Sequence, residues 1–200
     1  MNSDSLIGVL LQSLGGSASG ELSQQLGADE GKTKSALEVA IPLLIGALGK
    51  NAEASEGAEK LDSAITRDHS GAVLQDVKGY VSKGGNREDG EAIIKHVLGS
   101  KKGKAEKGIA QAAGLEENQA GALLEILAPL VLGALGKEKQ DKGLDAGGLS
   151  GVLQKERQQT NDSQSPIAAL ITDIIDGNDD GNILDDILGM AMRFFGGDRK

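Results

Sequence analysis

Two hundred residues carrying a net charge of −9, with 38% hydrophobic side chains, 2% aromatic ones and no Cys or Trp, exclude several classes of protein. Without cysteine there are no disulfides, no thiolate catalysis and no thiolate zinc sites, and the acidic balance argues against attraction of the whole molecule to nucleic acid or an anionic membrane. A core of Leu, Ile, Val and Ala favours helices, because strands draw on aromatic and β-branched residues, so the expected fold class is all-α.

The chain opens on MNSDSLIGVLLQSLGG, a short apolar stretch with no basic residue before it. It is not expected to act as a signal peptide, and the expected location is cytoplasmic. A short apolar helix over Leu6 to Leu14, closed by glycine, precedes an amphipathic helix over Ala18 to Leu26. A third helix begins near Lys32 and runs through Pro42 to "GALG". It is apolar on most sides, which marks a buried element. Pro42 lacks an N–H and would meet the carbonyl of Glu38, so a kink or break is expected there. Residues 51–91 turn polar and hold one or two helices between glycine-rich breaks. "RDHS" at Arg67 to Ser70 sets Asp, His and Ser side by side, but consecutive helical residues point apart and no catalytic triad is expected.

The segment Gly114 to Lys137 aligns without gaps on Gly27 to Lys50 at an offset of 87 residues, with 11 of 24 positions identical, among them Glu125 on Glu38 and Pro129 on Pro42. A duplicated helical unit is expected, with halves over about 1–86 and 87–155. Its second copy reads as helices over Glu91 to Leu98, Ala105 to Ala113, and from Gln119 onward. His96, among Ile93, Ile94, Val97 and Leu98, is expected to be a hydrogen-bonded core residue. "KKGKAEKG", Lys101 to Gly108, is expected to form a solvated loop or helix start. Glu38 and Glu125 would make an acid–base pair only if the two halves brought them together, and solvent-facing glutamates are the expectation. Uninterrupted apolar runs stop short of the ~18–20 residues that span a bilayer. No Walker loop, Rossmann fingerprint or nucleophile elbow is present, so no enzyme is expected.

"DGEAIIKHVLGSKKGKAEKGIAQAAGLEENQAGALLEILAPLVLGALGKEK" resembles the YidB-like bacterial family of unknown function, through the entry around His96, the "AAGL" turn ending at Leu115 and the "LAPLVLGALGK" strut. The resemblance covers most of residues 1–155 when the first copy is counted. It implies an all-α fold with some helices arranged like a homeodomain or helix-turn-helix, and no known activity. Val9 stands in the first copy where His96 stands in the second.

Beyond the second copy, the polar stretch from Gln154 to Gln164 marks a linker, placed at 156–165, and residues 166–200 read as a helix–loop–helix. The loop "DGNDDGNILDDI" begins at Asp176 and satisfies D-x-[DN]-x-[DN]-G with Asn178 and Asp180, followed by Gly181. Alternating hard oxygens, a backbone carbonyl at Asn182 and a reversal at glycine are what calcium requires. Ile187 replaces the usual bidentate Glu, leaving Asp185 and Asp186 to supply a shorter carboxylate and letting Mg²⁺ compete with Ca²⁺. The expected function is a non-enzymatic bacterial interaction or scaffold protein with a protein partner and a divalent-cation loop. The alternative is a DNA-binding regulator using the implied helix-turn-helix.

Overall fold

The computed structural model describes residues 5–163 and 165–176, and every regular element among them is helical. In chain order these are α1 (Leu6–Ser13), α2 (Ser17–Leu26), α3 (Glu30–Asn51), α4 (Ser55–Asp68), α5 (Val77–Ser82), α6 (Arg87–Leu98), α7 (Lys102–Ala113), α8 (Glu117–Lys142), α9 (Ala146–Asp162) and α10 (Pro166–Asp176). Short 3₁₀ turns at Ala72–Asp76 and Gly99–Lys101 lead into α5 and α7.

Two helices form the centre. From Ala36 to Gly49 every residue of α3 except Glu38 is buried, and α8 is buried almost without interruption from Ala120 to Gly136. Such helices must be surrounded, because there is no side they can turn to water. α1, α2, α7, α9 and α10 pack on α3, while α4, α6 and α7 pack on α8. α8 is also long and apolar enough to cross a membrane by length and composition, contrary to the expectation from uninterrupted runs. The discrepancy comes from its first turns, where Ala and Gly extend the apolar window; 83% of that window is buried inside the fold.

The two aligned segments take the same local form. α2 and α7 end on Gly27 and Gly114, at φ 61° and 69°, and α3 and α8 start three residues later. These left-handed caps are open to glycine at little cost and close each helix before the chain reverses. Asp29 then accepts from the amides of Gly31 and Lys32, whereas Glu116 and Gln119 form a reciprocal capping box. The Gln119 side chain also donates to the carbonyls of Leu26 and Gly27, each at 3.1 Å, joining the start of α8 to the end of α2. Neither proline breaks its helix: Pro42 and Pro129 lie inside continuous α3 and α8.

The expected linker at 156–165 is corrected over most of its length. Residues 156–162 are the last turns of α9, whose Leu149 and Leu153 are fully buried. The decisive residue is Glu156, 5% exposed, whose Oε1 and Oε2 accept from the backbone amides of Leu6 at 2.9 Å and Ile7 at 3.3 Å. A carboxylate at the start of α1 satisfies two amides that the helix leaves unpaired, and it opposes the positive end of the helix dipole. α10 is likewise packed on the body, laying Ile171, Ile174 and Ile175 against α3 and α7.

α6 crosses α8 so closely at Gly90 that a Cβ there would stand 1.8 Å from the carbonyl oxygen of Glu125. No rotamer relieves a clash made by backbone. Gly90→Ala is expected to push α6 off α8 and lower unfolding free energy by about 3 kcal/mol or more. Urea denaturation checks this.

Candidate functional site

α4 and α6 stand on either side of a groove of about 360 Å³, floored by Leu48 and Ala52 from the end of α3 and by Leu132 of α8. Leu61 and Ala64 line it from α4, Ile93 and Val97 from α6. One end is tied by Asn51, whose side-chain amide donates to the Val97 carbonyl at 3.0 Å. Behind the groove α4 is held to α8 by Lys139, which donates to Asp62 and, at 2.7 Å, to Thr66. The walls are therefore fixed by polar contacts at the margins of the trough, and its floor remains apolar. An apolar concavity of this size with few polar groups is the usual form of a binding site.

Both histidines of the chain lie on this groove. His69 is the cap residue ending α4; its side chain is 9% exposed, and Nε2 stands 4.0 Å from Oδ2 of Asp89 on α6. His96 is exposed on the α6 wall, which corrects the expectation of a core histidine: Ile94 and Leu98 face the core, and His96 falls on the side turned away from them. The side-by-side residues of "RDHS" diverge as expected. Asp68 pairs with Arg67 at 2.7 Å, which lowers its pKa, while the Ser70 carbonyl accepts from Gln140. Lys60 on the rim pairs with Glu56.

The glutamates that would have to meet across the two halves do not pair. Glu38 is exposed on α3, and Glu125 on α8 accepts from both Nε and Nη2 of Arg87, at 2.9 and 2.7 Å. Lys102 lies 3.8 Å from Glu125 and 3.8 Å from Glu106, extending the chain of charges from α6 across α8 to α7. Burial pushes the Glu106 carboxyl above the ordinary glutamate range, and the charges of Glu125 and Glu117 add to this against the pull of Lys102.

Of the six residues expected to hold a cation, the described structure includes Asp176, while Asn178, Asp180, Asn182, Asp185 and Asp186 lie outside the described residues. Asp176 ends α10. Its Oδ2 accepts from Arg157 at 2.6 Å and its Oδ1 stands 3.5 Å from Lys50. Two lysines of "KKGKAEKG" reach the same helix end: Lys101 donates to the Ile175 carbonyl, and Lys104 donates to the Asp173 carbonyl at 3.3 Å and pairs with its Oδ2 at 3.1 Å. The segment begins α7, as one expected alternative has it, but these two lysines are C-terminal caps for α10 rather than solvated charges. Among the described residues, no group of three or more His, Asp or Glu is placed to hold a metal ion.

The groove is not visible in the sequence. Its signal is present in α4 and α6, where Leu61 and Ala64, and Ile93 and Val97, recur at helical spacing beyond the residues that the core buries.

Residues 9–138 match the model of a family described as bacterial protein of unknown function (DUF937). No curated protein and no solved structure matches the chain.

Because the raised pKa of Glu106 means that the folded protein binds this proton more tightly than the unfolded chain, the ionised carboxylate is a net cost at neutral pH that protonation removes. Glu106→Gln is expected to raise the melting temperature at pH 7, with the gap to wild type closing as pH falls through the folded-state pKa to the ordinary glutamate value. Paired thermal melts across that range measure it.

Proposed function

The chain belongs to that bacterial family, and on this premise we propose that it is a non-enzymatic helical interaction protein whose working surface is the groove between α4 and α6, with a divalent-cation loop following α10. The observation that carries the reading is the groove itself, an apolar floor between walls braced at its margins. Its polar rim residues are occupied by neighbours: Lys60 with Glu56, Arg67 with Asp68, and His69 facing Asp89. Such a surface recognises apolar side chains of a protein segment. The duplicated helical unit belongs to the same reading, supported by the aligned sequence and by the common 87-residue offset of the α3 and α8 starts.

The cation reading is supported by the half-motif of Asp176, Asn178 and Asp180, and by α10, which ends on the first of these as an entering helix would. Calcium is the expected ion, with magnesium competing. Asp176 must then exchange Arg157 and Lys50 for the metal.

Two measurements test these readings. Excess anilinonaphthalene sulfonate, an apolar fluorescent probe, is expected to bind saturably at one site and to lose that site in Ala64→Arg, which fills the groove; binding unaffected by the substitution removes the groove as a binding surface. For the loop, millimolar Ca²⁺ is expected to raise the melting temperature, since an ion bound by the folded state alone adds about 2.7 kcal/mol at a hundredfold excess over Kd. Asp180→Ala is expected to abolish that increment, and the absence of calorimetric heat with either Ca²⁺ or Mg²⁺ would withdraw the site.

A further inference from the structure

The groove does not stop at His69. A second cavity, of about 170 Å³, adjoins it there, and the two share Asp68, His69 and Asp89. The polar lining of this second cavity consists of those residues with Ser70, Tyr80 and Asn86, and no Lys or Arg lines it among the described residues. Lys137, which packs beside Gly71 at the cavity's edge, is turned to Asp141 at 2.8 Å. An apolar trough thus leads into a small space that contains two carboxylates and no fixed cation.

The charge in that space is unbalanced. Asp68 is paired with Arg67, but the carboxylate of Asp89 faces only His69, and at 4.0 Å it lies beyond hydrogen-bond reach. An imidazole supplies a full counter-charge only when it is protonated. Across the cavity the Tyr80 oxygen accepts from the Asn86 amide at 2.9 Å. Burial pushes the Tyr80 phenol above its ordinary range, and the charge of Asp89 adds to this against the Asn86 hydrogen bond, so the field of that carboxylate reaches the opposite wall. A metal ion would need more ligands placed together than the described residues offer here. The complement of such a space is an organic cation, a guanidinium or an ammonium, that hydrogen-bonds to the carboxylate.

The walls of the trough run in opposite directions, since Asn51, ahead of α4, is tied to Val97 near the end of α6, while His69, at the end of α4, faces Asp89 near the start of α6. From Asp89 to Val97 the α6 wall is roughly 12 Å long at 1.5 Å per residue, the length of two helical turns. We propose that the groove takes an amphipathic helical segment of a partner protein whose apolar stripe is followed, one turn on, by an arginine or lysine, and that Asp89 holds this basic side chain in the cavity lined by Tyr80 and Asn86. This rests on the groove being a binding surface, as inferred above. The stripe contacts Leu61, Ile93 and Leu132, and the ion pair sets register, because a segment displaced by one turn would lay its charge on the apolar floor. The net charge of −9 favours the approach of a basic segment over an acidic one.

Fluorescein-labelled peptides of one helical host sequence test this on the full chain. Each carries leucines three and four residues apart along one face, followed one turn later by Arg, Gln or Glu, and is made in both chain directions. By fluorescence anisotropy the Arg peptide is expected to bind about tenfold more tightly than its Gln counterpart, with the Glu peptide weakest. Asp89→Asn should bring the Arg and Gln peptides together while leaving Gln-peptide affinity unchanged, and Asp89→Glu should keep the preference. Equal binding of Arg and Gln peptides to the wild type overturns the proposal, as does a preference that survives Asp89→Asn or Ala64→Arg. If Ala64→Arg does not fold, the comparison of peptides on the wild type and on Asp89→Asn decides without it. Loss of the apolar probe from Ala64→Arg together with no peptide binding leaves the groove standing and removes its proposed occupant, and displacement of the probe by octylammonium in that case assigns the site to small cationic amphiphiles instead.

Discussion

A helix that is apolar on every side cannot lie at a surface, and two of the described helices, α3 and α8, are of this kind over their central turns. α3 from Ile41 to Leu48 and α8 from Ala128 to Leu135 are buried at every position, while each amphipathic helix has one stripe with which to cover them. Covering two such cylinders from all sides takes many helices, and α1, α2, α4, α6, α7, α9 and α10 all pack on one or the other. The elements wholly outside the family match, α9 and α10, therefore complete the core instead of extending from it.

The same constraint explains where the polar chemistry sits. With the centre closed to charge, ionic groups gather at helix ends, where backbone amides and carbonyls lack partners. Arg157 and Lys50 meet at the end of α10, with Lys101 and Lys104 on its last carbonyls, and Glu156 meets the start of α1. The groove lies between two covering helices that are braced at its margins and leave the apolar floor between them open.

Most of the helices are legible in the sequence, because apolar periodicity and glycine stops are local signals. The starts of α3 and α8 fall within two residues of expectation, at Glu30 against Lys32 and Glu117 against Gln119. Features that depend on partners distant in the chain are not legible in this way. Gln154 to Gln164 reads as a linker since its side chains are polar, yet Glu156 is polar because it serves α1, 150 residues away. His96 reads as buried because its neighbours are apolar, but the helix turns it away from Ile94 and Leu98. The groove, likewise, exists only once α4 and α6 are set side by side.

Glu156 also places two distant stretches of the chain under one condition. The amides of Leu6 and Ile7 leave the ribosome long before the carboxylate that satisfies them, which lies 150 residues further on. Until α9 has been synthesised, α1 lacks that carboxylate and α3 lacks the cover of Leu149 and Leu153. The first helix therefore cannot reach its final state by folding in order of synthesis; the fold closes as a ring, joined by one of its newer segments.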